Sequence, residues 1–253
     1  MNYSFKKILA AGLIFFTGFA WGQLPCSQEC KVYLTIDDGP LAGARNIISA
    51  FSQKPVPVTL FMVGLHVEEF SRGQEMLALA KAMPNVKIGD HSYSHARDRY
   101  RYFYSDAAGV VKDMQMGAKV LGIEATKPIF SRLPGRNVFR LQGLSRDDPY
   151  ITAHERALEK VDDDDVRRAG FSLYGWDLEW AHLSSGKPVQ SIANLLEEIQ
   201  QAFATGNTVR PGKLILLMHD QMFPDHFDGQ TQLLALIQAL QDRGYVIDDL
   251  RNY

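Results

Sequence analysis

At 253 residues, with 46% hydrophobic and 22% charged side chains, the chain has the composition of an ordinary globular protein long enough to bury one core. Its formal net charge of -2, from 27 basic and 29 acidic residues, excludes the basic excess with which nucleic-acid binders capture phosphate. No nucleic-acid partner is therefore expected.

In chain order, Lys6 and Lys7 precede an apolar run over 8–20, and the small residues Ala20 and Gly22 flank Trp21. A basic start, a short apolar run and a small-residue exit read as a secretory signal peptide over residues 1–22, cut after Gly22. The run is shorter than the roughly 20 apolar residues of a membrane span. The mature chain, 23–253, is expected as a single domain, secreted or periplasmic, with no stable membrane insertion. Cys26 and Cys30 follow the cut, and in an oxidising compartment they suit a local disulfide clasp.

Short β-branched runs then alternate with helical patterns. Strands are expected at 32–36, 58–63, 86–88, 128–131, 171–176, 213–218 and 245–247. Helices are expected at 44–51, 74–83, 106–121, 191–203 and 231–243. This alternation argues for an α/β fold of βα units around a largely parallel sheet or barrel. The polar stretch 135–168 interrupts it and reads as a long insertion over one end of the barrel. In such barrels the loops after the strands carry the chemistry.

The first strand runs into Asp37-Asp38-Gly39-Pro40, where adjacent carboxylates point in different directions, so one can bind a metal while the other acts as a base. An Asp-rich turn is the plain alternative. The third strand runs into His91-Ser92-Tyr93-Ser94-His95, with two imidazoles spaced to share one metal on a helical turn. Neutral imidazole suits zinc and its first-row neighbours. Arg132 follows the fourth strand, and Asp177 and Glu179 follow the run at 171–176. If the segment stays extended, those two carboxylates share one face and Trp176, Leu178 and Trp180 the other. His219 ends the run at 213–218, at the barrel mouth, where a histidine can exchange a proton with substrate.

Taken together, these residues resemble the polysaccharide deacetylase family of carbohydrate esterases, the group with the NodB homology domain, over roughly residues 31–250. Thr35-Ile36-Asp37-Asp38-Gly39-Pro40 is similar to its first motif, with Ile in place of the usual Phe, and His91-Ser92-Tyr93-Ser94-His95 to its second. Arg132-Leu133-Pro134-Gly135 resembles the third, with Gly135 where an aromatic residue is usual. Trp176-Asp177-Leu178-Glu179-Trp180 is a shortened form of the fourth, and Leu217-Met218-His219 resembles the fifth. The resemblance implies a distorted (β/α) barrel that deacetylates an amino-sugar polymer or oligosaccharide of peptidoglycan, chitin or exopolysaccharide type. It implies Asp37 as base, and Asp38, His91 and His95 as ligands of one divalent ion, most simply zinc, with cobalt or nickel as alternatives. It implies Arg132 orienting Asp37, the Gly135 N–H at the oxyanion, Leu217 in the acetyl pocket and His219 as acid. Trp180 is assigned to substrate binding, and either Asp177 or Glu179 orients His219.

Other features read more plainly. The run from Asp162 to Asp165 suits a helix N-terminus better than a calcium site. His66, His154, His182 and His226 are expected at the surface or in structural roles. Arg97, Arg99 and Arg101, interleaved with Tyr100, Tyr102 and Tyr104, line a glycan groove or form a solvated loop. Two rival functions stand beside the deacetylase: a glycan-binding protein with vestigial catalysis, and a metal amidohydrolase acting on a non-sugar amide.

Overall fold

The computed structural model describes residues 29–159 and 163–253. The expected signal peptide, Cys26 and Asp162 lie outside the described residues. Cys30 is fully buried and disulfide-bonded.

The strands are β1 (Lys31–Asp37), β2 (Val58–Met62), β3 (Val86–Asp90), β4 (Ile129–Ser131), β5 (Phe139–Leu141), β6 (Leu144–Arg146), β7 (Phe171–Leu173), β8 (Leu178–Glu179), β9 (Lys213–His219) and β10 (Val246–Ile247). The α-helices are α1 (Ala44–Gln53), α2 (Gly64–Glu69), α3 (Gly73–Ala82), α4 (Tyr100–Phe103), α5 (Ala107–Val120), α6 (Ala153–Leu158), α7 (Asp163–Arg168), α8 (Ile192–Ala204) and α9 (Gly229–Asp242). All the expected strands and helices form, within a few residues of their expected ends. The sheet order is β6-β5-β7-β4-β3-β2-β1-β9-β8, with β10 on β1. Its pairs are parallel except at the β5–β6 hairpin and the β5–β7 contact.

The two ends of this curled sheet meet in one stretch of chain. Residues 171–173 pair with β4, and residues 178–179 pair with β9. Between them Tyr174 N–H donates to the Ser131 carbonyl (2.9 Å) and Asp177 N–H to the Ile215 carbonyl (3.0 Å). The result is a distorted (β/α) barrel closed by a segment that changes neighbours halfway.

Side-chain alternation then sorts the strands. Val32, Leu34 and Ile36 of β1, and Leu214, Leu216 and Met218 of β9, face the helices in the main core. Tyr33 and Ile215 face the barrel interior with Phe61, Phe139 and Tyr174. Thr35, Asp37, Leu217 and His219 share that inward parity, and the register pairs Thr35 with Leu217 and Asp37 with His219. Two strands buried on both faces therefore deliver a carboxylate and an imidazole side by side to the barrel mouth.

The 135–168 stretch has more structure than a polar excursion suggests. Its first part extends the sheet as the β5–β6 hairpin, and α7 anchors it through Val166, buried with Val138 against α5 residues Val110 and Met114. The acidic residues Asp163, Asp164 and Asp165 occupy the first turn of α7, as the helix-start reading requires.

Candidate active site

Asp37 ends β1 in extended geometry, whereas Asp38 adopts a left-handed φ of 70°, a conformation Asp tolerates better than most residues. The turn sends the two carboxylates apart, as their sequence position suggests. Arg132, fully buried at the end of β4, donates from Nη1 to Asp37 Oδ1 at 2.8 Å. The rest of the guanidinium is satisfied by Thr35 Oγ1 (3.0 Å) and the carbonyls of Tyr174 (2.9 Å) and Gly175 (2.8 Å). Phe61 and Trp176 cover its faces, 4.5 and 5.7 Å from the guanidinium carbon. A cation so bound is a rigid support for the Asp37 carboxylate.

The two histidines meet, though on a different backbone from the expected helical turn. Residues 91–94 form a loop with Ser92 at φ 67°, and His95 opens a short 3₁₀ turn at φ 49°. Side-chain acceptors replace the helical ladder: Tyr93 and Ser94 N–H donate to Asp113 Oδ1 of α5 (2.9 and 3.0 Å), and His95 N–H to Ser92 Oγ (3.0 Å). Asp38 Oδ1 lies 3.4 Å from His91 Nε2 and 3.1 Å from His95 Nε2. Burial would raise the Asp38 pKa, but the two imidazoles hold it well below the usual carboxylate range.

These three residues fit a divalent cation. Their ligand atoms lie within 4.8 Å of one another, and Asp38 Oδ1 is buried with no hydrogen bond among the described residues. His91 Nδ1 donates to the Arg132 carbonyl at 2.8 Å, which leaves its Nε2 lone pair facing the carboxylate. A carboxylate with two imidazoles is a ligand set that leaves positions open for water and substrate.

Asp37, Asp38, His91, His95, Gly135, Glu179, Leu217 and His219 all line one cavity of about 530 Å³. Burial holds the His219 imidazole below its ordinary pKa, against the charges of Asp38, Asp37 and Glu179. Glu179 Oε1 is 3.9 Å from His219 Nδ1. Asp177 points elsewhere: its oxygens accept from the backbone N–H groups of Val209 (2.6 Å) and Ile215 (2.7 Å). Of the two carboxylates considered for His219, the structure brings only Glu179 to it.

Trp180 corrects the substrate-binding assignment. It is 1% exposed, donates from Nε1 to the Gln190 carbonyl (3.0 Å) and packs edge-on to Phe223. Trp176 lines the cavity instead. The alternation expected over 176–180 fails because the strand breaks where it changes neighbours. Asn137 holds the break open, accepting from Trp176 N–H and donating to its carbonyl, both at 3.0 Å.

His66 and His182, expected at the surface or in structural roles, line the same cavity with Tyr100 and Gln221. His66 Nδ1 donates to the Asp38 carbonyl at 2.6 Å, and the His182 ring lies 4.8 Å edge-on from that of His219. The available signal was their position three or four residues beyond the ends of β8 and β2, on the side of the barrel where the loops carry the chemistry.

Residues 25–128 match the family model described as Polysaccharide deacetylase, a span that contains Asp37, Asp38, His91 and His95. The chain is 22% identical to a chitin disaccharide deacetylase of Vibrio alginolyticus, over 88% of this chain and 71% of that protein. It is 26% identical to a peptidoglycan-N-acetylglucosamine deacetylase of Bacillus cereus, over 86% and 68%. Its fold matches the catalytic domain of peptidoglycan N-acetylglucosamine deacetylase from Eubacterium rectale, with a TM-score of 0.61 at 20% identity over 88% of this chain and 90% of the other. A CE4 esterase of Streptococcus mutans gives a TM-score of 0.59 at 20% identity over 90% and 89%. By motif content, barrel and the family match over residues 25–128, the chain is similar to the polysaccharide deacetylase enzymes.

Proposed function

We propose that the protein is a divalent-metal-dependent hydrolase that removes N-acetyl groups from an amino-sugar polymer or oligosaccharide, releasing acetate. The observation that carries this reading is the cluster of Asp38, His91 and His95 beside a second carboxylate, Asp37, that Arg132 holds in place.

Asp38, His91 and His95 hold the ion, zinc in this reading, with cobalt or nickel as workable substitutes. When bound, the ion supplies Lewis-acid polarisation of the acetyl carbonyl and acidifies water at the site toward a pKa of about 7. Asp37 takes the proton of the attacking water, its carboxylate oriented by Arg132. The Gly135 N–H donates to the oxygen on which negative charge develops, a contribution of about 3 kcal/mol for a well-aimed donor. Leu217 offers the acetyl methyl an apolar wall. His219 protonates the departing sugar nitrogen, and Glu179 stabilises the imidazolium.

The test is acetate release from a panel of acetylated glycans by the chelated and the metal-restored protein. Release that follows the metal supports the reading; glycan binding with no release in zinc, cobalt or nickel replaces it with a binding protein. Release from simple amides but no glycan assigns it to the wider amidohydrolases. The signal-peptide pattern supports action outside the cytoplasm, and among the described residues no helix is long and apolar enough to cross a membrane.

A further inference from the structure

The active cavity does not end at its own wall. A second cavity of about 460 Å³ shares Tyr100, Gly135 and Trp176 with it, and a third, open trough of about 670 Å³ shares Tyr100, Arg101 and Leu158 with the second. The chambers meet at Gly135, whose left-handed φ of 61° and absent side chain put bare backbone beside Tyr100 and Trp176 at the junction. A Cβ there would stand 3.2 Å from the Tyr100 ring. The three spaces form one groove running from the candidate metal site toward the 135–168 stretch.

The outer trough is basic, because Arg99 and Arg101 line it and no carboxylate does among the described residues. The carboxylates that face the second chamber are engaged within the protein. Asp148 accepts from the N–H groups of Asn137 (2.9 Å) and Tyr150 (2.8 Å), Glu155 closes a capping box with Thr152, and Glu159 pairs with Arg136. Arg99 and Arg101 are different: both are exposed, and neither forms an ion pair among the described residues. Beside them Tyr102 and Tyr150 present rings that are 80% and 74% exposed. Rings with apolar faces and polar rims stack on pyranose faces, and a guanidinium matches a carboxylate in fork geometry.

We infer that the groove binds a continuation of the glycan chain that carries negative charge, a sugar bearing a carboxylate placed next to the acetylated unit in the metal-site cavity. This deepens the deacetylase reading and rests on it for the position of the acetylated unit. The tyrosines and Trp176 hold sugar rings of either charge, whereas Arg99 and Arg101 select the acidic one.

The probe is a tetrasaccharide of alternating N-acetylglucosamine and glucuronate, compared with its methyl ester, which has the same length and shape but no charge. Binding is measured by calorimetry on the full chain carrying Asp37→Asn, which halts turnover without altering the groove. The acid is expected to bind about fivefold more tightly than the ester at low salt, and raising the salt should erase the difference. Arg99→Gln with Arg101→Gln should remove the preference and leave ester affinity and melting temperature unchanged. Equal binding of acid and ester, a preference that survives the double substitution, or no binding of either overturns the inference. Acid-selective binding without acetate release from the unsubstituted chain keeps the groove and removes the deacetylase; release without acid preference does the reverse.

Discussion

Neighbouring carboxylates at positions 37 and 38 can do separable work because the backbone turns between them. Asp37→Asn should leave metal content unchanged and lower acetate release by about 10²–10⁴-fold, the range of general-base contributions. His91→Ala should lose metal and activity together; elemental analysis beside the activity assay reads both. A second pair separates the carboxylates of the closing segment. Glu179→Gln should lower kcat about tenfold, part of what a supported general acid contributes, with little change in melting temperature. Asp177→Ala should do the opposite. It strands the Val209 and Ile215 N–H groups at a cost of about 2–4 kcal/mol, visible in denaturant melts, while kcat below the transition stays close to that of the unsubstituted protein.

Among the elements, α7 shows how the insertion is held and how it responds to pH. Asp163, on its first turn, is raised to about 6 by burial, against the pull of Arg140, whose Nη2 lies 3.6 Å away. The folded protein keeps a proton that the unfolded chain releases near pH 4, so stability is lost as pH rises from about 4 to about 6. The loss has an upper limit of about 3 kcal/mol, set by a shift of about two pH units. Asp163→Asn should remove this slope, so that the variant's stability exceeds that of the parent most clearly at pH 7. Melting temperatures from pH 4 to pH 7 measure it; parallel curves for the two proteins would place the proton elsewhere.

For the molecule as a whole, the candidate metal ligands join the ends of β1 and β3, two strands separated in the sheet only by β2. An ion that binds the folded state alone stabilises it by mass action, by about 2.7 kcal/mol at a free concentration one hundred times the dissociation constant. Chelation should therefore lower the melting temperature by several degrees, and zinc should restore it. In His95→Ala the melting temperature should no longer respond to either.

Much of this was legible in the one-dimensional pattern because it depends on local rules. Short β-branched runs marked the strands, and chemistry placed at their ends marked Asp37, Asp38, His91, His95, Arg132 and His219. What needed the tertiary structure was set by contacts between distant segments. The histidines at 91 and 95 share a carboxylate across a loop held by Asp113, which spacing alone misreads as a helical turn. The segment at 171–179 exchanges β4 for β9 as its partner, so alternation breaks there, burying Trp180 and leaving Trp176 and Glu179 at the cavity. No local pattern reveals which neighbour a strand will take at each residue; that is decided when the barrel closes.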